Sequence, residues 1–231
     1  MLEVKALSAG YGQARILFGL DLELRAGEAV ALLGRNGAGK STTLKALMGL
    51  VQPSSGEVLL SGQRIERMAP WRIARLGLGY VPEDRRIFTD LTVEQNLEVG
   101  RQPRREGAAH WTPERLFGLF PSLARMRNRL GAQMSGGEQQ MLAIARTLMG
   151  NPGVLLLDEP AEGLAPVVVQ ALGDAIRKLR GEGISLLIAE QNLRFARRVA
   201  DRAVILESGT LRYSGTMAAL NPELQQRYLS A

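Results

Sequence analysis

GRNGAGKST, running from Gly34 to Thr42, matches G-x-x-x-x-G-K-[ST], a spacing suited to wrapping a phosphate chain. Gly34, Gly37 and Gly39 let the backbone curl through Arg35, Asn36 and Ala38, so that successive N–H groups point at phosphate oxygens. The apolar run AVALL precedes the motif and a helix pattern follows, so the polarity of a helix start adds to the attraction for an anion. Lys40 is placed to bridge β- and γ-phosphates, and the Ser41 hydroxyl to bind Mg²⁺. A second stretch, VLLLDEP from Val154 to Pro160, buries four apolar residues in a strand and delivers two carboxylates at its end. Asp158 suits the shell of a hard cation, which prefers oxygen ligands and waters. Glu159, one residue on, points differently and can polarise an attacking water. The two stretches imply phosphoryl chemistry on a magnesium-bound nucleotide.

MSGGEQQMLAIARTLM, Met134 to Met149, sets a serine and two glycines before a helix with an apolar face through Met141, Leu142, Ala145 and Leu148. Ser135 with Glu138 three residues later fits a capping box. The same start, at Gly136 and Gly137, also offers free N–H groups and a hydroxyl to an anion. One cradle is already assigned, so a second anion site suggests that two chains share nucleotides. SLLIAEQNLRFARRVADRAVILESG, from Ser185, reads as an apolar strand ending at Glu190-Gln191-Asn192, then a basic helix and a second strand.

The elements that must hold these residues alternate. Strands are expected at 2–7, 20–24, 29–33, 56–61, 78–81, 154–158, 185–190, 203–207 and 210–213. Helices are expected at 40–48, 70–75, 93–99, 113–120, 136–149, 167–180, 194–200 and 222–229. Such alternation argues for an α/β fold with a parallel core. Strands vanish between about Ile87 and Gly150, which suggests an inserted helical subdomain. The division expected is a core of 1–86 and 151–231 with a helical unit near 87–150. Its flexible stretch is expected to be RQPRREGAAHWTP, which carries His110 as an exposed loop residue.

Composition narrows the function classes. The chain has 231 residues, 45% hydrophobic and 23% charged, as in ordinary globular proteins. It has no cysteine, which excludes disulfides and thiolate chemistry, and one histidine, which excludes multi-histidine metal sites. No run approaches the ~18 apolar residues of a membrane span, and the N-terminus lacks a secretory pattern, so a cytoplasmic protein is expected. The net charge of +6 comes mostly from scattered arginines, and with 5% aromatics there is no stacking platform for nucleic acid.

The order of cradle, MSGGEQ, magnesium strand and switch strand resembles the ATP-binding cassette family across almost the whole chain. The resemblance implies a P-loop NTPase core with a parallel sheet, an N-terminal antiparallel β subdomain and the inserted helical subdomain. It also implies two cassettes closing head to tail, each ATP held between one chain's Gly34–Thr42 and the other's Ser135, Gly136, Gly137 and Glu138. Tyr11 looks like the aromatic that stacks on adenine. Glu83, in VPEDRRIF, stands where most members carry a glutamine near the metal. Gln191 stands where a histidine is usual, and Ala165 where an aspartate is common. With the MSGGEQQM form, these features look like the second ATP-binding subunit of branched-chain amino-acid importers and their urea and amide relatives. The chain stops soon after its last expected helix, so no regulatory extension is expected.

What the resemblance implies for mechanism is a transport ATPase on the cytoplasmic face of the membrane. Its partners would be transmembrane permease subunits and, indirectly, a solute-binding protein. Glutamine at 191 donates and accepts hydrogen bonds but stays neutral, so slower hydrolysis than with histidine is expected. A heterodimer with a histidine-bearing sister and a homodimer both remain open, as does a soluble, non-transport cassette. Docking is expected around Glu83–Leu91 and the helical unit.

Overall fold

The computed structural model describes residues 1–105 and 109–229. The chain opens with a long hairpin, β1 (Leu2–Tyr11) and β2 (Ala14–Leu24), followed by β3 (Ala29–Leu33), the glycine turn and α1 (Lys40–Leu47). β4 (Pro53–Leu60), β5 (Gln63–Arg64) and α2 (Pro70–Leu76) lead into β6 (Leu78–Val81). Helices α3 (Val93–Val99), α4 (Pro113–Leu119), α5 (Pro121–Ala124) and α6 (Gly136–Leu148) then run to β7 (Val154–Asp158). α7 (Pro166–Gly181), β8 (Ser185–Glu190), α8 (Leu193–Val199), β9 (Arg202–Glu207), β10 (Thr210–Thr216) and α9 (Pro222–Tyr228) complete the order.

Two sheets result. β2-β1-β4-β5 is antiparallel, and β10-β9-β3-β8-β7-β6 is parallel except for β10, which runs antiparallel to β9. β3, β7 and β8 are buried along their full lengths, as expected of strands covered on both faces. Their alternate residues enter different cores. Leu33, Leu155, Leu157, Leu186 and Ile188 pack with the apolar sides of α3, α4, α6 and α7. Leu32, Leu156 and Leu187 pack with α1 and the antiparallel sheet. The parallel sheet is therefore a wall shared by two cores, and the glycine turn and both carboxylates leave from its carboxyl edge.

The hairpin departs from expectation. β1 runs four residues past the expected Leu7, and β2 starts at Ala14, six before the expected Leu20. Register shifts interrupt β1 between Val4 and Gly10, where Ala6 has φ 47°, and Gly19 has φ 63° in β2. Bulges of this kind break the period-two pattern that marks a strand in sequence. β5 and α5 were not expected; each is only a few residues long. The expected flexible stretch falls partly on 106–108, outside the described residues, and its flanks are pinned. Arg105 donates to the carbonyls of Arg75 at 2.7 Å and Asn151 at 3.1 Å, and also to that of Gly150. The Trp111 N–H reaches Asn151 Oδ1 at 2.7 Å, while His110 is exposed. Buried backbone groups that need partners explain why this stretch is tied down.

Candidate nucleotide site

The turn after β3 forces glycine at its exit. Gly39 precedes α1 with φ 107°, and a Cβ there would stand 2.8 Å from Leu17 Cδ2. Lys40 folds back into the loop, donating from Nζ to the carbonyls of Gly34 at 2.9 Å and Arg35 at 3.2 Å. The same ammonium lies 3.1 Å from Glu159 Oε1, and both side chains are almost sealed from solvent. Arg35, Asn36 and Gly37 form the exposed crest, with Ala38 and Thr42 buried beneath. A cavity of about 390 Å³ opens over this turn, lined by Asn36, Lys40, Ser41, Glu83, Glu159 and Glu162 among others.

Asp158 accepts two hydroxyl bonds, from Ser41 Oγ at 2.9 Å and from Tyr80 at 3.1 Å. Burial raises its pKa, and the two hydroxyls hold it back. Burial, then the Asp158 charge, pushes the Tyr80 phenol up, so it remains a donor. Among the described residues no cluster of three or more acidic or histidine side chains could cage a metal. A hydroxyl and a carboxylate beside a phosphate cradle are nevertheless the donor set that fits Mg²⁺, which keeps waters and takes few protein oxygens.

Glu159 sits in the left-handed region at φ 44°, unusual for a residue with a side chain. Such strain amounts to about 1–3 kcal/mol and persists where the surroundings over-determine it. The Glu159 N–H donates to the Ala189 carbonyl at 3.0 Å, tying the turn to β8. Its Oε2 is buried without a donor. Glu162 stands beside the same carboxylate, and that contact, with burial, raises the Glu162 pKa.

Glu159 and Glu162 also line a second cavity, about 640 Å³, shared with Glu190, Gln191 and Asn192. Gln191 is exposed at the end of β8, so the base candidate stands between the cradle and the switch residue. Burial pushes the Glu190 carboxyl up to about 7, against the opposing effect of nearby backbone N–H groups.

The remaining sites expected from sequence lie apart from the cradle. Tyr11 ends β1, half exposed, and Ile16 on β2 is the hairpin residue that lines the cavity. Ser135 caps α6 with its hydroxyl engaged by Glu138: the Ser135 N–H donates to Glu138 Oε2 at 2.8 Å, and Oγ donates to it at 2.9 Å. Gly136 lies under Arg85, and the buried Gly137 lies against Val168 of α7. Among the described residues lining the cradle, none comes from 135–138. Sequence reasoning passed over Tyr80, Arg85, Glu162 and the bonding of Glu190. Glu162, three residues past Glu159, was visible as a third carboxylate, whereas Tyr80 becomes a candidate only once β6 is paired with β7.

Comparison with known proteins follows the same outline. A family model described as ABC transporter matches residues 17–162. The high-affinity branched-chain amino acid transport ATP-binding protein BraG of Pseudomonas aeruginosa is 41% identical over 99% of each chain. The lipopolysaccharide export system ATP-binding protein LptB of Escherichia coli K12 is 35% identical over 93% of this chain and 90% of its own. Among solved structures, an ATP binding subunit of an ABC transporter superposes with TM-score 0.82 at 32% identity, covering 98% of this chain and 94% of that one.

Proposed function

The chain belongs to the ABC transporter family as an ATP-binding, ATP-hydrolysing subunit, and from that premise we propose that it powers an importer of branched-chain amino acids. The likeness to BraG over 99% of both chains carries this reading. In it, Lys40 leaves Glu159 for the β- and γ-phosphates, which the N–H groups of Gly34–Thr42 surround, and Tyr11 stacks on the adenine. Ser41 and Asp158, with Glu83 beside them, would hold Mg²⁺, whose charge would offset that of the phosphates. Glu159, once free of Lys40, accepts the proton of the attacking water, and Gln191 donates its amide N–H to the γ-phosphoryl oxygens.

A second chain completes the site. Across the interface the start of α6 in one chain, here Ser135, Gly136 and Gly137 with Glu138 behind them, faces the phosphates held by the other. The absence of 135–138 from this chain's own cradle lining, among the described residues, supports that division. The preferred partner is a sister cassette that keeps the switch histidine, with this chain's α6 start completing the sister's site.

Permease subunits dock in a groove of about 590 Å³ between α2 and the segment 87–150. Leu50, Trp71, Phe88 and Val99 expose apolar surface there, each about half accessible. Among the described residues no helix is long and apolar enough to cross a membrane. Attachment to the cytoplasmic face therefore comes through these partners.

A second reading, an export ATPase, is favoured by the likeness to LptB. The test is to co-purify the chain with its membrane partners, reconstitute them in vesicles and supply Mg²⁺ and ATP. ATP-driven uptake of leucine, isoleucine or valine is expected. Uptake of urea or amides alone, or movement of lipopolysaccharide instead, overturns the amino-acid assignment.

A further inference from the structure

Glu190 ends β8 with 2% of its surface exposed, and no step described so far uses it. Its two oxygens serve two different segments. Oε1 accepts the Ala161 N–H at 3.3 Å, and Oε2 accepts the Asn192 N–H at 3.1 Å. Ala161 follows the turn that presents Glu159, and Asn192 follows Gln191. The parallel ladder fixes β7 only as far as Asp158, opposite Ala189. Past that point the Glu159 N–H bond to the Ala189 carbonyl still ties the turn to β8, and the left-handed conformation of Glu159 calls for further restraints.

Among the described residues no cation pairs with this carboxylate, and a buried acid without one is costly to retain. A residue needed only for filling space would be apolar here. Gln191 itself is exposed, so its aim follows from the backbone on either side.

We propose that Glu190 is a positioning residue for ATP hydrolysis: by holding Ala161 and Asn192 at once, it fixes Glu159 and Gln191 in one arrangement about the attacking water. This rests on the reading of Glu159 as base and Gln191 as γ-phosphate donor. Glu190 does not line the cradle, so its loss acts on turnover and leaves nucleotide binding alone.

The experiment uses the full chain with Mg²⁺ and ATP and compares Glu190→Gln, Glu159→Gln and the double variant. Glutamine keeps the size of Glu190 but turns an NH₂ toward one of the two backbone donors. Glu190→Gln is expected to lower kcat roughly tenfold or more, because small misplacements of reacting groups cost that much. KM for ATP and the affinity for a fluorescent ATP analogue stay within about twofold, and Tm does not fall. In the Glu159→Gln background the same change lowers residual turnover by less than about twofold, since the group being positioned is already gone.

The proposal is overturned if Glu190→Gln keeps kcat within about twofold of the unmodified chain, or if its loss adds in full to that of Glu159→Gln. It is equally overturned if analogue affinity and Tm fall together with kcat, which makes Glu190 a holder of the fold. Should Glu190→Gln fail to fold, Glu190→Asp, which keeps the charge but is one methylene short, is judged by the same outcomes. Glu159→Gln alone separates the levels. If it hydrolyses ATP normally, the assignment of the base and this proposal fall together; if it is inactive while Glu190→Gln is unimpaired, only the proposal falls.

Discussion

Lys40 and Glu159 face each other at 3.1 Å with almost no solvent between them and the protein. A triphosphate must draw the ammonium away from a carboxylate that repels it. Glu159→Gln is therefore expected to bind ATP more tightly, on the order of tenfold, while hydrolysis falls by about 10²–10⁴ if the proposed general base is lost with it. Titration with a fluorescent ATP analogue and steady-state turnover check both halves. At the switch, a preorganised donor to developing charge is worth roughly 2.7–4 kcal/mol, and a neutral amide recovers only part of that. Gln191→His should raise turnover and Gln191→Ala lower it, and an alanine variant as fast as the unmodified chain sinks the switch role. A neutral glutamine suggests weak pH dependence near 6–7, but Glu190 next to it titrates at about 7 because it is buried. With a folded pKa above the unfolded 4.5, Glu190 stabilises the fold relatively at low pH, and that advantage is lost as pH rises from about 4.5 through about 7. Glu190→Gln should consequently gain stability against the unmodified chain at pH 8 more than at pH 5, by up to on the order of 3 kcal/mol less the lost N–H bond, and thermal unfolding at the two pH values checks it.

Among the elements, α6 shows how much two glycines constrain. A Cβ on Gly137 would stand 2.7 Å from Val168 Cγ1, so where the start of α6 meets the first turn of α7 a side chain at 137 forces Val168 to shift. Gly137→Ala should destabilise the chain by about 1–3 kcal/mol, read as a lower midpoint in urea unfolding. The capping box of Ser135 and Glu138 was legible in sequence because its spacing is local. So were the glycine turn and VLLLDEP, where a buried strand delivers its polar residues within one or two positions. What escaped depends on partners distant in sequence. The β1–β2 hairpin hides behind bulges, and Tyr80 acts on Asp158 across 78 positions. The bond from Glu190 to Ala161 spans 29 positions. Local pattern reads period and capping; it does not read which strand lies beside which.

For the whole molecule, the arrangement that joins these parts is the short segment from Glu83 to Phe88. Glu83 lines the cradle, and Arg85 lies over Gly136, where a Cβ would stand 2.7 Å from its Nη1. Phe88 lines the apolar groove and lies 5.0 Å beneath the Arg146 guanidinium, which also donates to the Arg86 carbonyl at 2.6 Å. One stretch thus touches the nucleotide turn, the helix start proposed to face a second chain and the groove proposed to receive a permease. A contiguous packed segment of this kind is one route by which docking in the groove would bias both halves of the proposed nucleotide site. Trp71, 55% exposed on α2, lines the groove and is not among the described residues lining the cradle. Trp71→Ala should weaken permease docking and reduce transport in vesicles several-fold, since an exposed aromatic anchor is a typical site of binding energy. The ATPase of the chain alone should stay within about twofold. Equal loss of both activities would place Trp71 in the fold instead, and undiminished transport would move the docking surface elsewhere.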